Sequence, residues 1–137
     1  MLYAVKPGDV PLLWHEWMGA TLETAVVHDD LRTLSDVFSE LVKGRFRAWV
    51  VNNQPEAFGV VVTSIEEPPE GRRFWVNYAA GRTGGLRSMR RIMAEIEHIA
   101  RDMNAHEIRL QGRDWRRVLP DYEATENVAR NEIRKVL

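Results

Sequence analysis

The amino-acid sequence predicts an α/β protein of the α+β type, with one sheet and several helices in a single domain covering residues 1–137. Three patterns predict this class. Apolar residues recur at helical spacing before Gly44, they alternate as in strands from Gly44 to Gly81, and they form a helical stripe of about five turns after the glycines. A chain of 137 residues, 45% of them hydrophobic, is long enough to bury one core without disulfide bonds.

The first part of the chain predicts a short strand followed by two helices. The strand covers Leu2–Val5 and ends at a Pro-Gly pair, which favours a turn. The first helix begins at Pro11, because proline suits the first helical position. Its apolar face consists of Trp14, Trp17, Met18 and Ala25. The second helix follows the N-cap candidates Asp29 and Asp30 and ends at Gly44. Its apolar face consists of Leu31, Leu34, Phe38 and Leu41.

Residues 45–80 predict three consecutive antiparallel strands. The run "RFRAWVVN" alternates apolar and polar residues, and "NNQP" supplies a turn before "AFGVVVTSI". A second turn, "EEPPEG", leads into "RRFWVNYAA". Because the middle run is apolar on both faces, we expect it to form a central strand.

The rest of the chain predicts a long helix, a short strand, a brief helix and a tail for which two conformations stay open. The long helix has an apolar stripe of Leu86, Met89, Met93, Ile96, Ala100 and Met103. The run "HEIRLQ" predicts a strand, and Asp114–Leu119 predicts a brief helix that Pro120 ends. In the tail, Ala124–Leu137, apolar residues lie at helical spacing, but Ala129, Ile133 and Leu137 also share one strand face. Periodicity alone favours a helix there.

Composition excludes several classes of protein. The absence of cysteine excludes disulfides, thiol nucleophiles and thiolate-bound metals, and the four histidines have no ligand spacing, so no metal site is predicted. The net charge of −1 argues against a nucleic-acid binder, although residues 81–117 hold nine arginines against five acidic residues. No apolar run could span a bilayer and the N-terminal residues "MLYAVKPGDV" lack a charged-then-apolar signal layout, so we expect a soluble, cytoplasmic protein without a membrane partner.

The stretch "NYAAGRTGGLRSMRR" is the strongest candidate for a binding site. Three glycines lie between a strand and a helix, where main-chain N–H groups can approach an anion. Arg87, Arg90 and Arg91 then fall in the first turns of the helix, where the helix dipole disfavours cations unless an anion offsets them. This pattern favours a phosphate-bearing ligand. The alternative is a tight turn followed by a solvated row of arginines.

The order of these elements resembles the GNAT superfamily of N-acetyltransferases over nearly the whole chain. The resemblance implies a mixed, largely antiparallel sheet flanked by helices on both faces, with part of the tail, Val128–Leu137, added as a strand. It also implies acetyl-CoA as cosubstrate and a small-molecule or protein amine as acceptor. The pantetheine arm would lie against Tyr78, Ala79 and Ala80. The pyrophosphate would be held by Gly81, Arg82, Gly84, Gly85, Leu86 and Arg87.

The resemblance also identifies departures from the family pattern. Arg82 lies two residues before Gly84, one closer than the family loop has it, and the place of the family's proton-donor tyrosine falls near Arg117. The segment "IRLQGRDWRRVLPDYE" is similar to small phage-encoded GNAT-like proteins. An alternative function is therefore an inactive GNAT-fold subunit, structural or interacting with protein assembly partners, as in a phage virion.

Candidates for the catalytic base and for the acceptor cleft are less specific. A transferase must deprotonate its amine, and the candidate bases are Glu66, Glu67, Glu70, His15 and His28. Large aromatic residues usually belong to the core, and we expect this for most of Trp14, Trp17, Trp49, Trp75 and Trp115. Trp14 and Trp17 lie on the helices that flank the acceptor cleft in the family, so they are the expected exceptions.

Overall fold

The computed structural model describes residues 2–52, 57–82, 89–113 and 115–137, and within them it contains one mixed sheet with the strand order β1-β2-β3-β4-β5-β7-β6. The strands are β1 (Leu2–Ala4), β2 (Arg47–Asn52), β3 (Ala57–Glu66), β4 (Arg73–Gly81), β5 (Glu107–Leu110), β6 (Glu123–Ala124) and β7 (Ile133–Val136). The β4–β5 pair is parallel, whereas β1–β2, β2–β3, β5–β7 and β6–β7 are antiparallel. This mixed, largely antiparallel α+β fold is the class that the sequence predicts.

The helices are α1 (Val10–Leu13), α2 (Gly19–Val26), α3 (Leu34–Val42) and α4 (Met89–Asp102), with short 3₁₀ turns at Pro7–Asp9, Trp115–Arg117 and Val128–Arg130. No helix in these described parts of the chain is long and apolar enough to cross a membrane. The chain divides into two compact units, of which the first combines Met1–Ser64 with Tyr78–Arg87 and the second combines Ile65–Asn77 with Ser88–Leu137. Each unit is thus made of two separate stretches of sequence.

In the first unit, α1 and α2 are joined by a π-helical segment, Trp14–Met18, which the sequence pattern did not predict. Gly19 follows this segment, and a Cβ atom on it would lie 2.8 Å from Nε1 of Trp14. The indole therefore packs directly over the glycine main chain. The buried face of this helical region includes Met18 and Leu22, which join Val60 and Val62 of β3 in one apolar core.

The start of α3 corrects the predicted helix cap. Thr33 is the N-cap, and it forms a capping box in which its side chain accepts from the main-chain N–H of Asp36 at 3.1 Å while the Asp36 carboxylate accepts from the Thr33 N–H at 2.9 Å. Asp29 and Asp30 are not the cap, and Leu31 lies outside the helix with 65% of its surface exposed. The predicted end of the helix is confirmed, because Gly44 follows it with φ of +78°.

In the second unit, the end of the tail, for which the sequence left helix and strand open, is the strand β7. Strand β7 pairs with β5, with Ile133 opposite Leu110, and both side chains are buried. The strand implied by the family resemblance is therefore confirmed, and the helix favoured by periodicity is wrong. Pairing with a buried strand outweighs the local pattern, which contributes only the short 3₁₀ turn at Val128–Arg130.

A cluster of charged side chains is buried in the same unit. The Glu107 carboxylate accepts from Nε of Arg73 at 2.7 Å and from Nε of Arg109 at 2.8 Å, and it lies 3.5 Å from Arg134. Arg109 also contacts Glu132 at 3.1 Å. Burial would raise the pKa of Glu107, but Arg109 and Arg73 outweigh it and hold that pKa below its usual value. Glu107 is therefore charged at neutral pH.

Candidate functional site

The residues proposed for the pantetheine arm form the end of β4. Tyr78, Ala79, Ala80 and Gly81 are all buried, and they belong to the first unit. The register between β4 and β5 covers only Arg73–Val76, although β4 itself continues to Gly81. The last residues of β4 therefore extend beyond the part of the strand that pairs with β5, and the two alanines add little bulk beside its main chain.

Arg82, the first arginine of the proposed pyrophosphate loop, is exposed and lies next to a tryptophan. Its guanidinium carbon is 5.4 Å from the centroid of the Trp17 ring, within the range of a cation–π contact. Trp17 belongs to the π-helical segment and is partly buried. Thus a residue expected to bind phosphate contacts a residue expected to flank the acceptor cleft.

The other predicted loop residues, Gly84, Gly85, Leu86 and Arg87, lie outside the described residues. Of the arginines that follow, Arg90 donates from Nε to the carbonyl oxygen of Val118 at 2.9 Å. This contact lies within the second unit, to which both residues belong, so the presence of Arg90 near the start of α4 has a structural explanation as well. Arg91 is exposed.

Tyr78 and Asp29 form a side-chain pair that sequence reasoning missed. The Tyr78 hydroxyl donates to Oδ2 of Asp29, and the main-chain N–H of Leu31 donates to Oδ1 at 2.8 Å. Burial, and then the Asp29 carboxylate, raise the pKa of Tyr78 above its usual value, so the phenol stays protonated. A buried tyrosine needs a hydrogen-bond partner for its hydroxyl, so the sequence could have predicted that Tyr78 has one. Nothing in the local pattern identified Asp29 as that partner.

The candidate bases chosen from the sequence lie in different surroundings. Glu66 accepts from Arg73 at 3.1 Å and from Nε1 of Trp75 at 3.3 Å, and Glu67 pairs with Arg72 at 2.6 Å. Both carboxylates thus have cationic partners. The remaining candidates, Glu70, His15 and His28, are exposed. These contacts single out none of the five as a base.

The proton-donor place near Arg117 falls in the 3₁₀ turn Trp115–Arg117, where the sequence has no tyrosine. The nearest tyrosine along the chain, Tyr122, is buried and donates to Glu97 at 3.1 Å. Burial is the main cause of the raised pKa of Tyr122, and the Glu97 carboxylate raises that pKa further. Tyr122 therefore holds its proton in a structural contact.

Of the five tryptophans only Trp49 is buried, so the expectation that most of them are core residues is wrong. Trp49 is buried and donates from Nε1 to Thr63 at 2.9 Å, which is typical of a core residue. Trp14 and Trp17 are partly buried against the core of the first unit, and Trp14 meets the Phe38 ring edge-on at 5.1 Å. Trp75 and Trp115 are also partly buried. Within the described residues, no three acidic or histidine side chains are grouped so that they could bind a metal.

Comparison with known proteins supports the fold. No protein-family model matches the sequence, and no curated protein matches it either. Solved structures do match. The polyamine N-acetyltransferase of Drosophila melanogaster, which forms N-acetylagmatine, is 10% identical with a TM-score of 0.68 and full coverage of both chains.

Two further structures match with similar scores. An acetyltransferase from Thermus thermophilus is 18% identical, with a TM-score of 0.64 over 100% of this chain and 96% of the other. The PaiA N-acetyltransferase of Thermoplasma acidophilum, solved in complex with coenzyme A, is 10% identical, with a TM-score of 0.62 over 100% and 99%. The resemblance to phage-encoded proteins stays a prediction. The chain therefore has the GNAT acetyltransferase fold.

Proposed function

We propose that this protein binds acetyl-CoA and transfers its acetyl group to an amine. The observation that carries the proposal is the end of β4, which continues to Gly81 after its register with β5 has stopped at Val76. Main-chain groups of a strand end can pair with the amides of an extended ligand in the way that they pair with another strand. The pantetheine arm is such a ligand.

The residues of the first unit fit the cofactor in two respects. Ala79 and Ala80 allow close approach to the main chain, and Gly81 continues this character into the loop. Arg82 adds an exposed guanidinium directly after the strand, where it can contact a phosphate oxygen. We propose Tyr78, Ala79 and Ala80 for the arm, and Gly81, Arg82, Gly84, Gly85, Leu86 and Arg87 for the pyrophosphate.

We propose Asp29 as the carboxylate that takes the proton from the acceptor ammonium. Its two oxygens accept from the Tyr78 hydroxyl and from the Leu31 N–H, so its position is fixed from two directions. Asp29 is only partly buried, which leaves it accessible to a substrate. The neutral amine forms its bond to the acetyl carbon while the carbon–sulfur bond breaks, and coenzyme A leaves as the thiolate. The nitrogen then loses its second proton to form the amide, and that proton converts the thiolate to free thiol. Tyr78 keeps the carboxylate oriented.

The acceptor that we propose is a small cationic amine. The Drosophila melanogaster structure belongs to an enzyme that acts on a polyamine-type substrate. In the present chain, the partly buried rings of Trp14 and Trp17 could contact such a cation, since an indole face attracts positive charge.

The test is a thermal-shift titration with coenzyme A, with pantetheine as the probe that lacks the pyrophosphate. Binding to the folded state alone stabilises by about 2.7 kcal/mol at roughly 100 times the dissociation constant. We expect coenzyme A to raise the melting temperature more than pantetheine does. If millimolar coenzyme A produces no shift, the proposal is wrong.

A catalytically inactive scaffold is the second candidate, because no tyrosine occupies the proton-donor place near Arg117. The two candidates differ in one measurement. An enzyme releases free thiol from acetyl-CoA in the presence of agmatine and related amines, whereas a scaffold that keeps the cofactor site raises its melting temperature without any release of thiol.

A further inference from the structure

A second candidate ligand site lies within the second unit, apart from the residues assigned above. It is a cavity of about 450 Å³, between one face of α4, the segment Val118–Tyr122 and Lys135 of β7. Cavities of a few hundred Å³ are the size that binds small molecules. The α4 residues that line it include Arg90, Ala94, Glu97 and Arg101, which repeat at helical spacing along about 16 Å of the helix.

The walls of the cavity are held by hydrogen bonds at two points. Arg90 donates to the carbonyl oxygen of Val118 at 2.9 Å, and Tyr122 donates to Glu97 at 3.1 Å. The wall that faces α4 is the segment Val118–Tyr122, which is not helical because the preceding 3₁₀ turn ends at Arg117. The cavity is therefore built from fixed side chains on α4 and on the facing segment.

The lining has an apolar part and an excess of positive charge. The apolar surface comes mainly from Val118, which is 37% exposed, and from the exposed Pro120. Met93, Leu119 and Tyr122 also line the cavity but are almost fully buried. The charged lining residues are three cations and two carboxylates, namely Arg90, Arg101, Lys135, Glu97 and Asp121. An occupant that complements this lining carries an apolar body and a negative charge.

The cations are not equally available to such an occupant. Lys135 contacts Glu97 at 2.8 Å, and Arg101 lies 3.9 Å from the same carboxylate. Arg90 has no carboxylate partner among the described residues, and its contact with Val118 uses only Nε. It also lies two helical turns, about 10 Å, from Glu97. The terminal nitrogens of Arg90 are thus the best-placed donors for an anion.

We propose that this cavity binds a small organic anion, with the apolar body against Val118 and Pro120 and the anionic group on the Arg90 guanidinium. The site does not depend on the proposed transferase activity. Its ligand class is an aromatic or aliphatic carboxylate, sulfonate or phosphate, because each offers two oxygens to a planar guanidinium.

The test uses the full chain with two fluorescent probes that differ in one group. The anionic probe is 8-anilinonaphthalene-1-sulfonate, and the matched neutral probe is N-phenyl-1-naphthylamine. We expect saturable binding of one anionic probe per chain, and at least about tenfold weaker binding of the neutral probe, because a hydrogen bond to a charged group contributes on that scale.

Variants locate the bound probe. Arg90→Gln should weaken binding of the anionic probe about tenfold or more, whereas Arg91→Gln, an exposed arginine outside the lining, should leave it unchanged. Ala94→Trp should block the probe by filling the cavity. Circular dichroism melting confirms that each variant is folded. The proposal is overturned by non-saturable binding, by equal affinity for both probes, by equal losses in the two arginine variants, or by displacement of the probe by coenzyme A.

Discussion

Replacing Glu107 by glutamine should destabilise the second unit far more than an equivalent change at the surface. The Glu107 side chain is 4% exposed and contacts three arginines, and Arg109 is itself only 9% exposed. Removing one member of a buried ion pair costs about 3–5 kcal/mol, because the remaining charge stays buried without compensation. Arg109 keeps its contact with Glu132, and glutamine keeps the shape and one acceptor oxygen, so we expect about 3 kcal/mol, the lower end of that range.

Glu123→Gln is the matched control. Glu123 is 63% exposed and lies 2.9 Å from Arg134. Glu107 contacts the same arginine. Both substitutions therefore remove one negative charge and one contact with the same arginine. The surface change should cost less than about 1 kcal/mol. Urea unfolding at neutral pH measures both values, and equal losses in the two variants would refute the reasoning that burial decides the cost.

The pH dependence of the same site gives an independent check. The folded-state pKa of Glu107 is lowered by its arginines despite its burial, so its contribution to stability is present above the unfolded-state value of 4.5. That contribution is lost as the pH falls through the folded-state pKa. The Glu107→Gln protein lacks this titration, so its stability should fall less steeply in acid than that of the unsubstituted protein.

The remaining predictions concern the proposed site and the tyrosines. Asp29→Asn should reduce acetyl transfer to an amine by about a hundredfold or more, the scale of a lost general base, while coenzyme A affinity is unchanged. Arg87→Ala should weaken coenzyme A binding by about 1.5–3 kcal/mol, less at high salt, and Gly84→Val should abolish it. The raised pKa values of Tyr78 and Tyr122 should lower the free energy of unfolding by about 1.4 kcal/mol each between pH 9 and pH 11, as unfolded tyrosine ionises near its usual value of 10.

Each of these has a control. Asp30→Asn tests whether any acidic residue in that turn has the effect of Asp29. A stable Arg87→Ala protein with unchanged affinity for coenzyme A would assign this arginine to a solvated helix surface. Tyr78→Phe or Tyr122→Phe should remove the alkaline loss that belongs to that tyrosine, and an undiminished loss in both variants would contradict the assignment.

Local patterns predicted those helices and strands whose buried face can be recognised from their own sequence. The change of period after Gly44 and the apolar stripe of α4 both follow from one face that packs inward. The tail shows the limit of that reasoning. Ile133 is buried because β5 lies beside it, and strand pairing over such a distance along the chain has no local signature.

The candidate site was predictable in part. The position of Tyr78–Arg82 between a strand and a glycine segment follows from the sequence, but the role of Asp29 does not. Asp29 precedes a predicted helix and resembles a cap, whereas Thr33 takes that role and Asp29 bonds to Tyr78, 49 residues away. Similarly, the alternation in "HEIRLQ" predicts a strand but not the burial of its polar residues. Glu107 and Arg109 are buried because they pair with each other, and also with Arg73 of β4 and with Glu132.

The division of each unit into two stretches of sequence has a consequence for synthesis and truncation. Tyr78 packs in the same core as Val5 and Val10, so the first unit cannot complete its core until the ribosome has released the end of β4. A fragment that stops at Ser64 lacks this strand end, and one that begins at Ser88 lacks the Arg73 partner of Glu107. Contacts between residues so distant in sequence slow folding, because the chain must close a long loop before it gains their energy. Neither half of the gene therefore encodes an independently complete unit.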